Sequence, residues 1–282
     1  MNFLFPILSA ILQAGSFTLD KVILSFRNIN YKTYNTISFP LLFIITGIIF
    51  LIFHPSLSLK NFSGHQWLLV LALAIIGFIG SIILYRALDH NYLGEVQTIG
   101  LLQNIPLVVL PAIIFADERK IFVIIAALIA SGAIIWSHWE KNKIKFGKYN
   151  LSYVAYSLLL VPLASLVTKQ LLITWHPISL YLINAAILTL AFIPFLAKER
   201  DKISPKIFFF FVATNLLSVT AALFYYFSYQ RSGIIYTTLL YSLKPLLVYF
   251  ASLLILKESI HWKKIVAFGV VLASIIASKF IG

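Results

Sequence analysis

Apolar stretches of about 18 residues or more recur from one end of this 282-residue chain to the other. A stretch of that length crosses the hydrocarbon core of a bilayer as one helix. Ten are present: Phe3–Ser25, Thr33–Phe53, Trp67–Leu88, Leu93–Phe115, Ile121–Trp139, Tyr149–Ile173, Pro177–Ala197, Pro205–Ser228, Gly233–Leu256 and Trp262–Ile281. The connections are short, which leaves no length for an ATP-binding motor or a soluble catalytic domain. The expected fold is therefore an all-α integral membrane protein of ten transmembrane helices. The composition, 61% hydrophobic and 11% charged, is that of such a bundle and of no soluble domain this long. Phe3 opens the first run with no basic segment before it, and Asp20-Lys21 closes it instead of a small-residue cleavage site. A retained helix is expected there rather than a cleaved signal.

All five tryptophans, Trp67, Trp136, Trp139, Trp175 and Trp262, fall at or near an expected span end. The headgroup interface suits indole, whose ring is apolar and whose N–H is wet. The formal net charge of +13 would point to nucleic acid in a soluble protein. Here most of the charge lies in loops, where it signals topology and attracts anionic lipid. The bilayer, not nucleic acid, is the expected partner. No cysteine is present for disulfides or thiolate metal sites, and the six histidines show no ligand spacing. Neither a Gly-rich phosphate loop nor a nucleophile elbow occurs. Neither an enzyme nor a metal or cofactor site is expected.

The chain also matches itself. Tyr92-Leu93-Gly94 aligns with Arg231-Ser232-Gly233, and Asn104-Ile105-Pro106-Leu107 with Leu243-Lys244-Pro245-Leu246. Asp117-Glu118 aligns with Lys257-Glu258, and Asp20-Lys21 with Thr168-Lys169. This divides the chain into a first five-helix repeat (1–140), a basic linker (141–148) and a second five-helix repeat (149–282). An odd number of helices per repeat makes the second copy enter the membrane from the opposite side. Inverted repeats of this kind build secondary transporters, whose site lies near the midplane between the halves. Lysines and arginines concentrate in the loops after helices 1, 3, 5, 7 and 9, which places those loops in the cytoplasm and both termini outside.

Lys244 lies near the middle of Gly233–Leu256 and precedes Pro245. A cation at a span centre costs about 2.5–3.5 kcal/mol on insertion scales unless a cavity, partner or ligand receives it. With Thr237 and Tyr241 it forms one face of helix 9, and Asn215 and Tyr225 share a face of helix 8. Hydroxylated rings beside a cation suit a ligand with an apolar body and an anionic group; for each tyrosine alone, packing and interface anchoring are the more ordinary explanation. Helix 4 offers Gln97, Gln103 and Asn104, for ligand contact or interhelical bridging. On helix 1, Gln13 shares a stripe with Ser9, Ser16 and Asp20. Asp20 and Glu95 are candidate proton carriers; the structural alternatives are an ion pair with Lys21 and a first-turn partner of the helix dipole. Pro106 and Pro245 break helices 4 and 9 at matched depth, as geometry or as gates. Glu118 and Glu258 read as dipole partners of helices 5 and 10. Gly269, Ala273 and Ala277 form a small-residue face for close packing or a homodimer.

The repeated pattern resembles the ten-helix, EamA-type branch of the drug/metabolite transporter superfamily. It reads Tyr85-Arg86-Ala87-Leu88, Gly94, Pro106, Glu118 and Gly132 in the first half. In the second it reads Tyr225-Tyr226-Phe227, Gly233, Pro245, Glu258 and Ala273-Ser274. The resemblance implies an inner-membrane carrier that works by alternating access and exports amino acids or other small metabolites. It implies a central cavity walled by helices 1, 3, 4, 6, 8 and 9, and cytoplasmic termini, opposite to the charge count. The expected function is secondary transport of a small metabolite, an amino acid or organic anion. The alternatives are multidrug efflux, which would want a membrane-embedded carboxylate rather than Lys244, and a lipid-handling or scaffolding role without solute turnover.

Overall fold

The computed structural model describes residues 3–57, 64–91, 93–138, 148–199, 203–256 and 262–281. Every regular element among them is helical. The order is α1 (Leu4–Leu24), α2 (Tyr31–Phe53) and α3 (Gly64–His90), then α4 (Leu93–Gly100) leading through a 3₁₀ turn (Leu101–Gln103) into α5 (Asn104–Ile114). A second 3₁₀ turn (Ala116–Glu118) leads to α6 (Ile121–His138). Next, α7 (Lys148–Ala155) passes through a π-helical segment (Tyr156–Leu160) into α8 (Val161–Leu172). The chain closes with α9 (Pro177–Glu199), α10 (Pro205–Ser232), α11 (Ile234–Tyr241), α12 (Lys244–Leu256) and α13 (Trp262–Ile281). Taking α4–α5, α7–α8 and α11–α12 as broken rods, the described residues form ten rods.

Among the described residues, six helices are long and apolar enough to cross a membrane: α1, α2, α3, Asn150–Leu172, the Pro177–Phe195 part of α9, and α10. The stretches Leu101–Ile114, Ile121–Ser137 and Ile234–Phe250 are apolar but shorter. In the fourth and ninth rods the shortening has a local cause. The 3₁₀ turn precedes Pro106, and Ser242-Leu243 interrupts the helix just before Lys244-Pro245. Proline removes a backbone donor and crowds the preceding turn, so the helix gives way there. Elsewhere the rods start on local signals. The Asn30 side chain accepts from Lys32 N and Thr33 N at the head of α2, and Ser204 caps α10 with Pro205 in its first turn.

Contacts between rod ends sort the bundle into two ends. At one, the end of α1 meets the end of α3 (Lys21 Nζ to Leu88 O, 2.6 Å). The start of α2 meets α3 there too (Tyr31 N to Asp89 Oδ2, 3.2 Å). Trp136 of α6 meets Trp262 of α13 edge-on, with ring centroids 5.6 Å apart. This is the loop-1/loop-3 end. At the other, the start of α9 meets the chain after α2 (Ser179 Oγ to Ser56 O, 3.2 Å). The end of α10 meets the end of α8 there (Gln230 Nε2 to Leu172 O, 3.0 Å). Laterally, α1 packs chiefly on α10, α3 on α8, α2 on α9, and α6 on α13, with α11 against α5 and α6.

Three expectations are corrected. Trp175 is buried in an apolar cluster with Leu171, Leu172 and Leu180 rather than standing at a lipid interface. Gly269, Ala273 and Ala277 face outward, because α13 turns Ala267, Val271, Ser274 and Ser278 inward, so the stripe is not an internal packing face. Glu118 does not serve the helix that follows it. Its Oε1 and Oε2 accept from Ile234 N (2.6 Å) and Ile235 N (3.1 Å) at the head of α11. Gly233 makes this possible: its φ of +85° lies where a side chain is strained, and a Cβ there would collide with the Glu118 carboxylate.

Candidate functional site

The break in the ninth rod opens onto a cavity of about 160 Å³. Its wall takes Phe17 from α1, Leu84 from α3, and Gly100, Leu101, Gln103 and Asn104 from the break in the fourth rod. Tyr153, Tyr156 and Val161 come from the sixth rod, and Tyr241, Lys244 and Pro245 from the ninth. Two interruptions that the internal repeat aligns therefore face one space. A broken rod leaves backbone polar groups without helical partners, which membranes tolerate only against protein or a wet cavity.

Lys244 begins α12 directly after the interruption. Its Nζ lies 4.7 Å from the Phe17 ring centroid and 5.6 Å from that of Tyr241, both within cation–π range. No hydrogen bond or ion pair joins it to a described residue. Among the described residues, the acid whose charge acts on it is Asp20. Asp20 comes within electrostatic reach of Lys244 because α1, which carries it, packs against α12.

Asp20 is 2% exposed and well held. Its Oδ1 accepts from Tyr34 Oη (2.5 Å) and Thr214 Oγ1 (2.6 Å). Tyr85 packs against Tyr34 at a tilt, with centroids 4.2 Å apart. Asp20 does not pair with the adjacent Lys21, whose ammonium turns to Leu88 O and Asn91 O. The polar stripe of α1 is mostly spent on α10: Ser9 donates to Ala221 O (2.8 Å), and Ser16 and Thr214 exchange hydroxyl contacts. Gln13 is half-buried and outside the cavity wall.

Of the remaining sequence candidates, Tyr241, Gln103 and Asn104 line the cavity with Lys244 and Pro245. Pro106 lies just past the fourth-rod break, outside the wall. Asn215 is buried between α10 and α2, donating to Phe211 O (2.7 Å) and Ser38 Oγ (3.3 Å). Thr237 is sealed against Ser228 Oγ (2.6 Å) and Gly233 O. Tyr225 bonds Tyr229 through their hydroxyls (2.6 Å), and its ring centroid is 4.9 Å from that of Tyr241. It belongs to an aromatic plug that continues to Ser165 on α8. The side chains of Glu95 and Gln97, and all of Glu258, lie outside the described residues.

Sequence reasoning missed Tyr153 and Tyr156. A signal was there: Tyr149, Tyr153 and Tyr156 step by four and three, one face of a helix, and the π-helical segment begins only at Tyr156. Glycines opposite make room. A Cβ on Gly80 would collide with the Tyr156 hydroxyl, and one on Gly100 would press on that of Tyr153.

Comparison with known proteins places these features. Residues 150–279 match the model of the EamA-like transporter family. Among the solved structures, 28 chains match. One, described simply as the crystal structure of a protein, superposes with a TM-score of 0.74 at 12% identity, covering 98% of this chain and 96% of that one. At that identity the likeness is one of fold. No curated protein matches the sequence.

Proposed function

We propose that this multi-pass membrane protein, whose residues 150–279 carry an EamA-like transporter family domain, is a secondary transporter that exports a small anionic or zwitterionic metabolite. Organic anions and amino acids are the expected cargo, and the inner membrane its place. The observation that carries this reading is Lys244. It is an ammonium at a helix break, facing a polar and aromatic cavity without a hydrogen-bonding partner among the described residues. An anionic group entering the cavity would supply that partner. Gln103 and Asn104 would hydrogen-bond the cargo, and the Tyr153, Tyr156 and Tyr241 rings would cover its apolar body.

Alternating access between the halves 1–140 and 149–282 is the mechanism that fits. The lateral packing supports it. Exchanging each rod with the one five places on turns the α1–α10 contact into the α8–α3 contact, and returns α2–α9 and α6–α13 to themselves. Pairwise order of that kind is what two inverted five-helix repeats produce. Asp20 is the proposed proton carrier, because its charge and that of Lys244 act on each other, which couples cargo on Lys244 to the proton on Asp20. Cavity size argues against broad drug efflux, because drug-sized ligands occupy pockets of roughly 300–1,000 Å³.

The test is counterflow in proteoliposomes with labelled amino acids and organic acids, wild type against Lys244→Ala and Lys244→Arg. Saturable transport abolished in Lys244→Ala and partly kept in Lys244→Arg supports the assignment. Undiminished transport in Lys244→Ala removes Lys244 from the site.

A further inference from the structure

A second pocket, of about 340 Å³, lies apart from the transport cavity, between α2, α3 and α9 at the loop-1/loop-3 end of the bundle. Tyr31, Lys32, Asn35 and Thr36 line its upper part; Phe78, Ile82, Phe192 and Phe195 line the rest. Polar and apolar halves are separated along the pocket. Lys32, Asn35 and Thr36 are three and four residues apart, so they share one face of α2. Lys32 is at the exposed rim, and Asn35 sits one helical turn deeper, about 4.5 Å along the axis. Below them Phe192 stacks on Phe39 (5.1 Å between centroids) and meets Phe78 (4.9 Å), closing an aromatic floor. Phe195, at the edge, is 54% exposed.

Asn35 is the telling residue. It is 0% exposed, yet among the described residues neither its amide nitrogen nor its amide oxygen has a hydrogen-bond partner. Buried polar groups are ordinarily satisfied, and an orphaned amide calls for an explanation. Packing does not require an amide there, since the neighbouring wall is aromatic and aliphatic.

We propose that this pocket holds an anionic glycerophospholipid. Its phosphate sits at the rim on Lys32, beside Arg86, whose guanidinium lies 5.7 Å from the Tyr31 ring centroid. The phosphate lies between Lys32 at the rim and Asn35 and Thr36 one turn below: the amide NH₂ donates to a phosphate oxygen, and the amide oxygen accepts from a head hydroxyl folded back along the phosphate. An acyl chain runs over Phe78, Ile82 and Phe192. Basic pockets between membrane helices are recognised lipid sites on electrostatic grounds. The orphaned amide adds a demand for a head that both donates and accepts, which a choline head cannot meet.

The experiment is native mass spectrometry of the full-length protein in detergent, titrated with phosphatidylglycerol or phosphatidylcholine of equal chain length. Thermal unfolding is followed in parallel. Wild type should retain phosphatidylglycerol at least fivefold better than phosphatidylcholine and unfold at higher temperature with it. Lys32→Gln and Asn35→Leu should each lose most of that preference and of the thermal shift. Asn35→Leu should be no less stable than wild type without lipid, which separates loss of binding from loss of folding. Equal retention of the two lipids, or an unchanged preference in the Lys32→Gln/Asn35→Leu double variant, overturns the proposal. Because counterflow is not the readout, this outcome is independent of whether Lys244 carries transport.

Discussion

The two ends of the bundle are both fastened by a lysine, and they are fastened differently. The internal repeat aligns Lys21 with Lys169, and the structure places them at opposite ends. Lys169, on α8, bonds two carboxylates, Asp117 Oδ2 at 2.6 Å and Glu118 Oε1 at 2.5 Å, and Glu118 in turn holds the first N–H groups of α11. Lys21, on α1, bonds only carbonyls, at the last turn of α3 and just beyond it. The preceding Asp20 is turned inward to hydroxyls and to the neighbourhood of Lys244. One end is thus closed by a buried ion pair that spans three rods. The other is closed by a cation on a helix dipole, and the neighbouring carboxylate is buried against hydroxyls of α2 and α10. Equivalent positions in a repeat can carry equal residue types and still do unequal work, because the partner is set by what the other half supplies.

The largest effect should come from removing the carboxylate at the ion-paired end. Glu118→Ala leaves the Lys169 ammonium without its buried partner and two N–H groups uncapped, and should cost about 3–5 kcal/mol of stability. Denaturant unfolding in detergent reads this directly, and an effect no larger than that of a surface substitution would mean that the latch holds nothing. Next is Gly233→Ala, which forces a side chain into a glycine-only backbone conformation against the same carboxylate; a loss of roughly 1–3 kcal/mol is expected in the same measurement. Thr214→Val removes a donor to Asp20 with little change of shape. It should cost about 1–2 kcal/mol and shift the pH profile of transport, whereas Glu118→Ala should leave that profile in place. The smallest effect belongs to Lys21→Met, about 1 kcal/mol, since its carbonyl partners retain their helical environment. If Lys21→Met proves as costly as Glu118→Ala, the contrast between the two ends fails.

Much of the fold was legible from hydropathy alone, because a membrane span needs a run of apolar residues whatever it packs against. The breaks were legible too: Pro106 and Pro245 announce them through a missing N–H. Partner choice was not. Glu118 lies beside α6 in sequence and reads as its dipole partner, while its bonds go to α11, more than a hundred residues on. Lys21 is next to Asp20 in the chain, but successive residues on a helix point about 100° apart, so adjacency is poor evidence for a pair. The stripe Ser9, Gln13, Ser16 and Asp20 was visible as a polar face, and which neighbour it served was not. Hydroxyls that bridge α1 to α10 and side chains that face cargo have the same composition. Lys244, Tyr241, Gln103 and Asn104 stood out as polar groups near helix breaks; Asn215 and Thr237 stood out only as polar groups within apolar spans, and they are enclosed by protein.

The π-helical segment Tyr156–Leu160 has a consequence for how this chain can be rebuilt. Such a bulge amounts to one residue inserted into a regular helix, and it rotates everything beyond it by about 100°. The face of α7 that carries Tyr153 and the face of α8 that carries Ser165, Thr168 and Lys169 are therefore set by a single added position. Deleting one residue within Tyr156–Leu160 would straighten the rod and leave every side chain chemically intact. It would also swing Lys169 away from Glu118, or the tyrosines away from Lys244, whichever half yields. The cavity and the latch at the far end are in this sense one adjustment, tuned by the length of the chain rather than by the identity of any residue.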